Sequence, residues 1–184
     1  LTMGMQEVGG AAGWFNRYTE RFFPLEVTAR QQHDIALADL KARLAEMAQN
    51  PAQTAAFFRE KFCSQWMEPT MGMLWDGALS DHTGAFGETE ARFFAKDHTT
   101  QETLLGAFQR ALYAFSAAGL IGMLRDRKRS GLCLLLPLIF FGGALYHLMF
   151  EAKSQYAFPY AVLLLPVAAM GICRIEDGLK GKRA

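Results

Sequence analysis

Apolar residues are spread unevenly along the 184 positions: as far as about residue 103 they are scattered among polar ones, and beyond it they gather into long runs. Residues 131–150 carry no charged side chain, and twenty residues at about 1.5 Å rise each cover a hydrocarbon core of about 30 Å. Residues 104–124 are apolar except for Gln109 and Arg110, which lie near the start of the run and can snorkel toward headgroups. Residues 157–173 form a shorter third run holding Pro159 and Pro166, tolerable where neighbouring helices satisfy the freed backbone groups. The predicted fold class is therefore all-α integral membrane, with an outward-facing helical segment at 1–103 and three transmembrane helices in 104–184.

The first segment shows shorter signals. Residues 1–27 are rich in glycine and aromatics without a sustained period, which predicts an irregular, packed stretch. From Thr28 the pattern changes: Thr28 and Gln31 have capping-box spacing, and Leu37, Leu40, Leu44 and Met47 recur at threes and fours, predicting an amphipathic helix that ends near Gln49. Asn50-Pro51 then supplies an N-cap and a proline at the first helical position, opening a second helix to about Trp66. Phe58, Phe62 and Trp66 share one side of it, with Arg59, Glu60 and Lys61 as surrounding charge. That stripe suits either an interfacial helix or packing against other helices. Residues 71–98 lack periodicity and read as a polar loop, after which Thr99 and Glu102 repeat the capping-box spacing ahead of the first long run.

Charge then sets an orientation. Residues 1–103 carry 9 positive and 14 negative side chains, whereas 104–184 carry 10 and 4. Arg125-Asp126-Arg127-Lys128-Arg129 between the first two runs has net charge +3 and the tail 174–184 has +2, so both are expected in the cytoplasm. Residues 1–103 and the hairpin 151–156 then face outward from an integral cell membrane. The basic loop is explained by topology, and nucleic acid is not an expected partner. The chain opens on Leu1 without a signal-peptide pattern, so an exported segment of this length is expected to follow further spans upstream, in a longer polytopic protein.

Candidate chemistry is sparse. His33, His82, His98 and His147 show no metal-ligand spacing, and Asp81-His82 and Asp97-His98 lie in the polar loop. Cys63, Cys133 and Cys173 make no disulfide framework and read as buried, unreactive thiols. No nucleophile elbow, P-loop or dinucleotide fingerprint is present, and no cofactor is evident; a divalent metal requirement is open. The hairpin differs in kind: Glu151 and Lys153 adjoin an uncharged run, with Tyr146, Tyr156 and Tyr160 nearby. An ordinary interfacial belt fits these residues. So does a phosphate contact, because ammonium and phenol both donate to phosphate oxygens.

The stretch Tyr146-His147-Leu148-Met149-Phe150-Glu151-Ala152-Lys153-Ser154-Gln155-Tyr156-Ala157-Phe158-Pro159-Tyr160 resembles the C-terminal motif of bacterial membrane glycosyltransferases of the dolichyl-phosphate-mannose protein mannosyltransferase type. These are glycosyltransferase family 39 relatives of the GT-C superfamily. Met3-Gly4-Met5-Gln6-Glu7 with Gly13-Trp14-Phe15-Asn16, and Ser64-Gln65-Trp66-Met67-Glu68-Pro69-Thr70, are similar to outward-facing parts of the same proteins. The resemblance implies transfer of a sugar from a polyprenyl-phosphate carrier to a protein or glycan acceptor at the outer membrane face. It implies substrate-binding roles for Glu151, Lys153 and Tyr156 on the phosphate side and for Gln6 and Glu7 along the sugar or acceptor cavity. In such enzymes the catalytic base lies in a first outward loop that has no counterpart here, so no catalytic residue is assigned and these residues alone are expected to be inactive. The alternatives are a non-enzymatic membrane protein with a partner-binding outward segment and a transporter or flippase fragment.

Overall fold

A computed structural model describes residues 1–8, 11–74, 87–93, 98–125 and 134–180. The described residues are predominantly helical: α1 is Ala29–Gln49, α2 Pro51–Trp66, α3 Gly87–Phe93, α4 Thr99–Arg125, α5 Leu135–Met149 and α6 Phe158–Lys180. A two-residue antiparallel ladder pairs β1 (Glu7–Val8) with β2 (Ala11–Ala12), and single 3-10 turns occur at Met3–Met5, Tyr18–Phe22 and Ser154–Ala157. By contacts the chain divides into two compact units, Leu1–Met67 with Ala144–Lys153, and Glu68–Gly143 with Ser154–Ala184.

In the first unit α1 opens with the expected capping box. Thr28 Oγ1 accepts the Gln31 N–H at 3.3 Å, and Gln31 Oε1 accepts the Thr28 N–H at 2.8 Å. Pro51 stands at the start of α2, while Asn50 caps from its position without a side-chain bond, its Nδ2 donating back to Glu46 O at 3.2 Å. The amphipathic expectation for α1 is only weakly realised, since Met47 is its one buried residue and Leu37 and Leu44 are exposed. On α2 the buried face is Phe57, Lys61 and Gln65 together with Trp66, whereas Phe62 from the anticipated aromatic stripe is 40% exposed. The irregular N-terminal stretch is held on α1 by Thr2 Oγ1 to Ala36 O (3.1 Å), Arg43 Nε to Met5 O (2.9 Å) and Tyr18 Oη to Asp39 (2.6 Å).

In the second unit α4 and α6 pack closely through small residues. A Cβ on Gly119 would come closer than 3.0 Å to the Val167 carbonyl, and one on Gly171 equally close to the Phe115 carbonyl, so only glycine permits this approach. Leu112, Ala161, Leu164 and Ala168 fill the seam, and Ser116 Oγ donates to Leu164 O at 3.3 Å. The turn after α2 folds on itself: Glu68 accepts from Thr70 N and Gly72 N, both at 2.8 Å, and Gln109 Nε2 donates to Glu68 O at 3.3 Å. Part of the segment expected to be loop, residues 87–93, is helical.

Among the described residues two helical segments, Thr99–Arg125 and Ser154–Lys180, are long and apolar enough to cross a bilayer. The uncharged run 131–150 yields a described helix of only 15 residues, about 22 Å long, while the run interrupted by Pro166 continues as helix to Lys180. Proline leaves its helix intact here because α6 is buttressed by α4 through the seam. The segment 126–133, which includes Cys133 and most of the basic loop, lies outside the described residues, as do Asp81, His82 and Asp97. Cys63 is half-buried and Cys173 exposed, both as free thiols, so the expectation of buried cysteines does not hold for Cys173.

Candidate functional site

Parts of the three stretches that carry the family resemblance, residues 3–16, 64–67 and 146–153, belong to the first unit. The Met3–Met5 turn lies against the end of α5 so tightly that a Cβ on Gly4 would come closer than 3.0 Å to the Phe150 carbonyl and the Glu151 nitrogen. Gly13, with φ of 73°, occupies the left-handed region that glycine tolerates and donates its N–H to Gln6 O at 2.8 Å. Its own carbonyl accepts the Ala152 N–H at 2.9 Å, which ties the start of the hairpin to the N-terminal segment.

Lys61 binds both partners together. The side chain is 1% exposed, and its ammonium donates to Gly4 O and, at 3.0 Å, to Leu148 O. Leu148 O belongs to the last turn of α5, where carbonyls lack helical partners and the helix dipole favours a cation. The Nζ atom also lies 5.9 Å from the centre of the Phe57 ring. Burial pushes the Lys61 ammonium down to about 8. Trp14 Nε1 donates to Ser64 Oγ at 3.0 Å, and Trp66 meets His147 edge-on with ring centres 6.3 Å apart. His147 Nδ1 is 2.8 Å from Glu151 O; since a carbonyl only accepts, that nitrogen carries the proton. Tyr146 stacks on Phe150 at 4.4 Å between ring centres. Gln65 is fully buried and both its amide atoms lack hydrogen-bond partners among the described residues.

Of the five anticipated substrate contacts, Gln6, Glu7, Glu151 and Lys153 belong to the first unit, and Tyr156 to the second. The Gln6 side chain accepts from Asn16 Nδ2 at 3.1 Å, and its backbone is joined to Ala152 through Gly13. Glu7 is exposed on the short ladder opposite Ala12. Glu151 and Lys153 are half-buried and follow immediately on the helix end that Lys61 caps; Tyr156 is half-buried in the 3-10 turn Ser154–Ala157. Tyr18, on the far side of the N-terminal stretch, has its hydroxyl pushed up to about 12 by burial and by the hydrogen bond to Asp39.

Lys61 escaped the sequence reading, which took it as charge surrounding the aromatic stripe of α2. The available signal was its spacing of four from both Phe57 and Gln65, which puts it on the face that buries. The described residues bring together no three His, Cys, Asp or Glu side chains able to share a metal ion. The second unit offers a different surface: an apolar groove of about 570 Å³ between α4 and α6, walled by Leu105, Phe108, Phe158 and Val162 and bordered by Met71 and Gln155.

No protein-family model, curated protein or solved structure matches this chain.

Proposed function

We propose that this chain forms the C-terminal part of an integral membrane glycosyltransferase that moves a sugar from a polyprenyl-phosphate carrier to a protein or glycan acceptor at the outer membrane face. The observation that carries the reading is that Gly4, Gly13, Trp66 and the 147–152 segment, drawn from the three stretches that resemble family 39, pack on one another around Lys61, which lies outside those stretches. Separate motifs that pack on one another in a single unit serve one site more readily than unrelated tasks. Two segments able to cross a bilayer, with Leu104, Phe108, Phe158, Val162 and Leu165 exposed along them, support membrane residence. The groove between those helices offers an apolar path for a hydrocarbon tail.

In this reading Glu151 and Lys153 stand at the lipid surface, and Lys153 with Tyr156 donates to the phosphate that departs as the anomeric carbon is attacked. Fixed cationic and hydrogen-bond donors at a departing phosphate lower the barrier because they need no reorganisation. The short α5 completes the membrane region, and the basic loop and tail face the cytoplasm. The base that deprotonates the acceptor comes from outside these residues. Full-length protein reconstituted with a polyprenyl-phosphate sugar tests the assignment. Lys153→Ala should lower transfer at least tenfold, about 1.4 kcal/mol in barrier, with expression unchanged; unaltered kinetics would remove the role.

A further inference from the structure

Apart from the packed centre, the first unit has a polar cleft of about 360 Å³ between the C-terminal half of α1 and the first half of α2. Its volume is at the small end for ligand pockets and suits one sugar ring better than a chain. Glu7, Glu46 and Glu60 contribute carboxylates, Asn50 and Gln53 contribute amides, and the buried side chains of Met47 and Phe57 form an apolar floor. Arg43 is already committed. Its Nη1 pairs with Glu46 at 2.8 Å, its Nε donates to Met5 O at 2.9 Å, and its guanidinium lies 5.3 Å from the centre of the Phe57 ring.

Glu7 and Glu60 have no ion-pair partner among the described residues. Three carboxylates against one guanidinium leave two negative charges in the lining. No three acidic or histidine groups among the described residues converge enough to hold a metal ion, so the charges are spread around the void. Dispersed acceptors and amides satisfy several hydroxyls at once, and the apolar floor meets the C–H face of a ring. The excess negative charge attracts an ammonium and repels phosphate or carboxylate.

The geometry points to a 2-amino-2-deoxyhexose with a free amine as the ligand of this cleft, with Glu7 and Glu60 facing the ammonium. The assignment deepens the glycosyl-transfer reading by naming a sugar held on its outward side. It rests on that reading for the purpose of binding, while the binding itself is measured without transfer.

The test uses full-length protein in nanodiscs, with glucosamine, glucose and glucosamine 6-phosphate titrated by saturation-transfer NMR at about pH 6, where a sugar amine is protonated. Glucosamine should bind about fivefold more tightly than glucose, the scale of an exposed ion pair, and the phosphate ester more weakly than glucosamine. Glu7→Gln and Glu60→Gln, both at exposed positions, should each reduce the preference, and the double variant should abolish it. Equal affinity for the three sugars, a preference that survives in the double variant, or no binding of any of them would overturn the assignment. A transfer assay separates the two ideas. Transfer without aminosugar preference removes only the cleft assignment, and aminosugar preference without transfer removes only the transferase reading.

Discussion

Burial changes the chemistry of Lys61. Its folded ammonium titrates at about 8, whereas an exposed lysine titrates near about 10.4. Between those values the unfolded chain holds a proton that the folded chain has lost, so stability rises with pH across that window. From about pH 8 to 10 the gain should approach 3 kcal/mol at most, about 1.4 kcal/mol per pH unit, read as a shift in denaturation midpoint. Above about pH 10 Tyr18 acts in the other direction, because its folded hydroxyl keeps a proton that the unfolded one releases. Lys61→Met should flatten the rise between pH 8 and 10 while costing about 2 kcal/mol at neutral pH, since it leaves the Gly4 and Leu148 carbonyls without their donor. A variant that kept the wild-type pH slope would show that another group is responsible. Lysine was legible as a charge in the sequence, but its burial was not, because residue type alone favours the surface and only the two carbonyls that meet at its tip overrule that preference.

Among the elements, the terminal signals were the most readable. Thr28 with Gln31 keeps its capping box, because such a cap depends on neighbours three residues away, and α2 and α4 begin at Pro51 and Thr99 where the sequence places helix starts. Helix lengths were less readable. The uncharged run 131–150 has the composition of a full span but a described helix of 15 residues, whereas α6 passes through Pro166 for 23. What separates them is the partner: α6 lies against α4 at the distance that Gly119 and Gly171 allow. Gly119→Leu should force the pair apart, cost about 1–3 kcal/mol and lower the melting temperature of the detergent-solubilised protein. Gly142→Leu is the control, because a Cβ there meets nothing within 4 Å and should leave melting unchanged. In the first unit Gly4→Val should have a comparable cost, seen as increased proteolysis of the 150–153 segment, since its side chain would displace the Phe150 backbone.

For the molecule as a whole, the sequence divided at about residue 103 by composition, whereas contacts join Ala144–Lys153 to the N-terminal unit. Cysteine labelling in sealed vesicles tests the topology: a cysteine at Phe15 should react with an impermeant reagent from the outside and one at Leu179 only after permeabilisation; the reverse pattern would invert the proposed orientation. By itself the sequence determined the helical class, the cap positions, the charge asymmetry and the motifs of the hairpin, because each of these is set by residues close together in the chain. Tertiary structure alone decided that Gly4 and Gly13 lie against the backbone that ends α5 and that Lys61 reaches the carbonyl of its last turn. Those outcomes depend on which backbones approach one another across more than eighty residues, and hydrophobic periodicity records only which face of each element is buried, not what it is buried against.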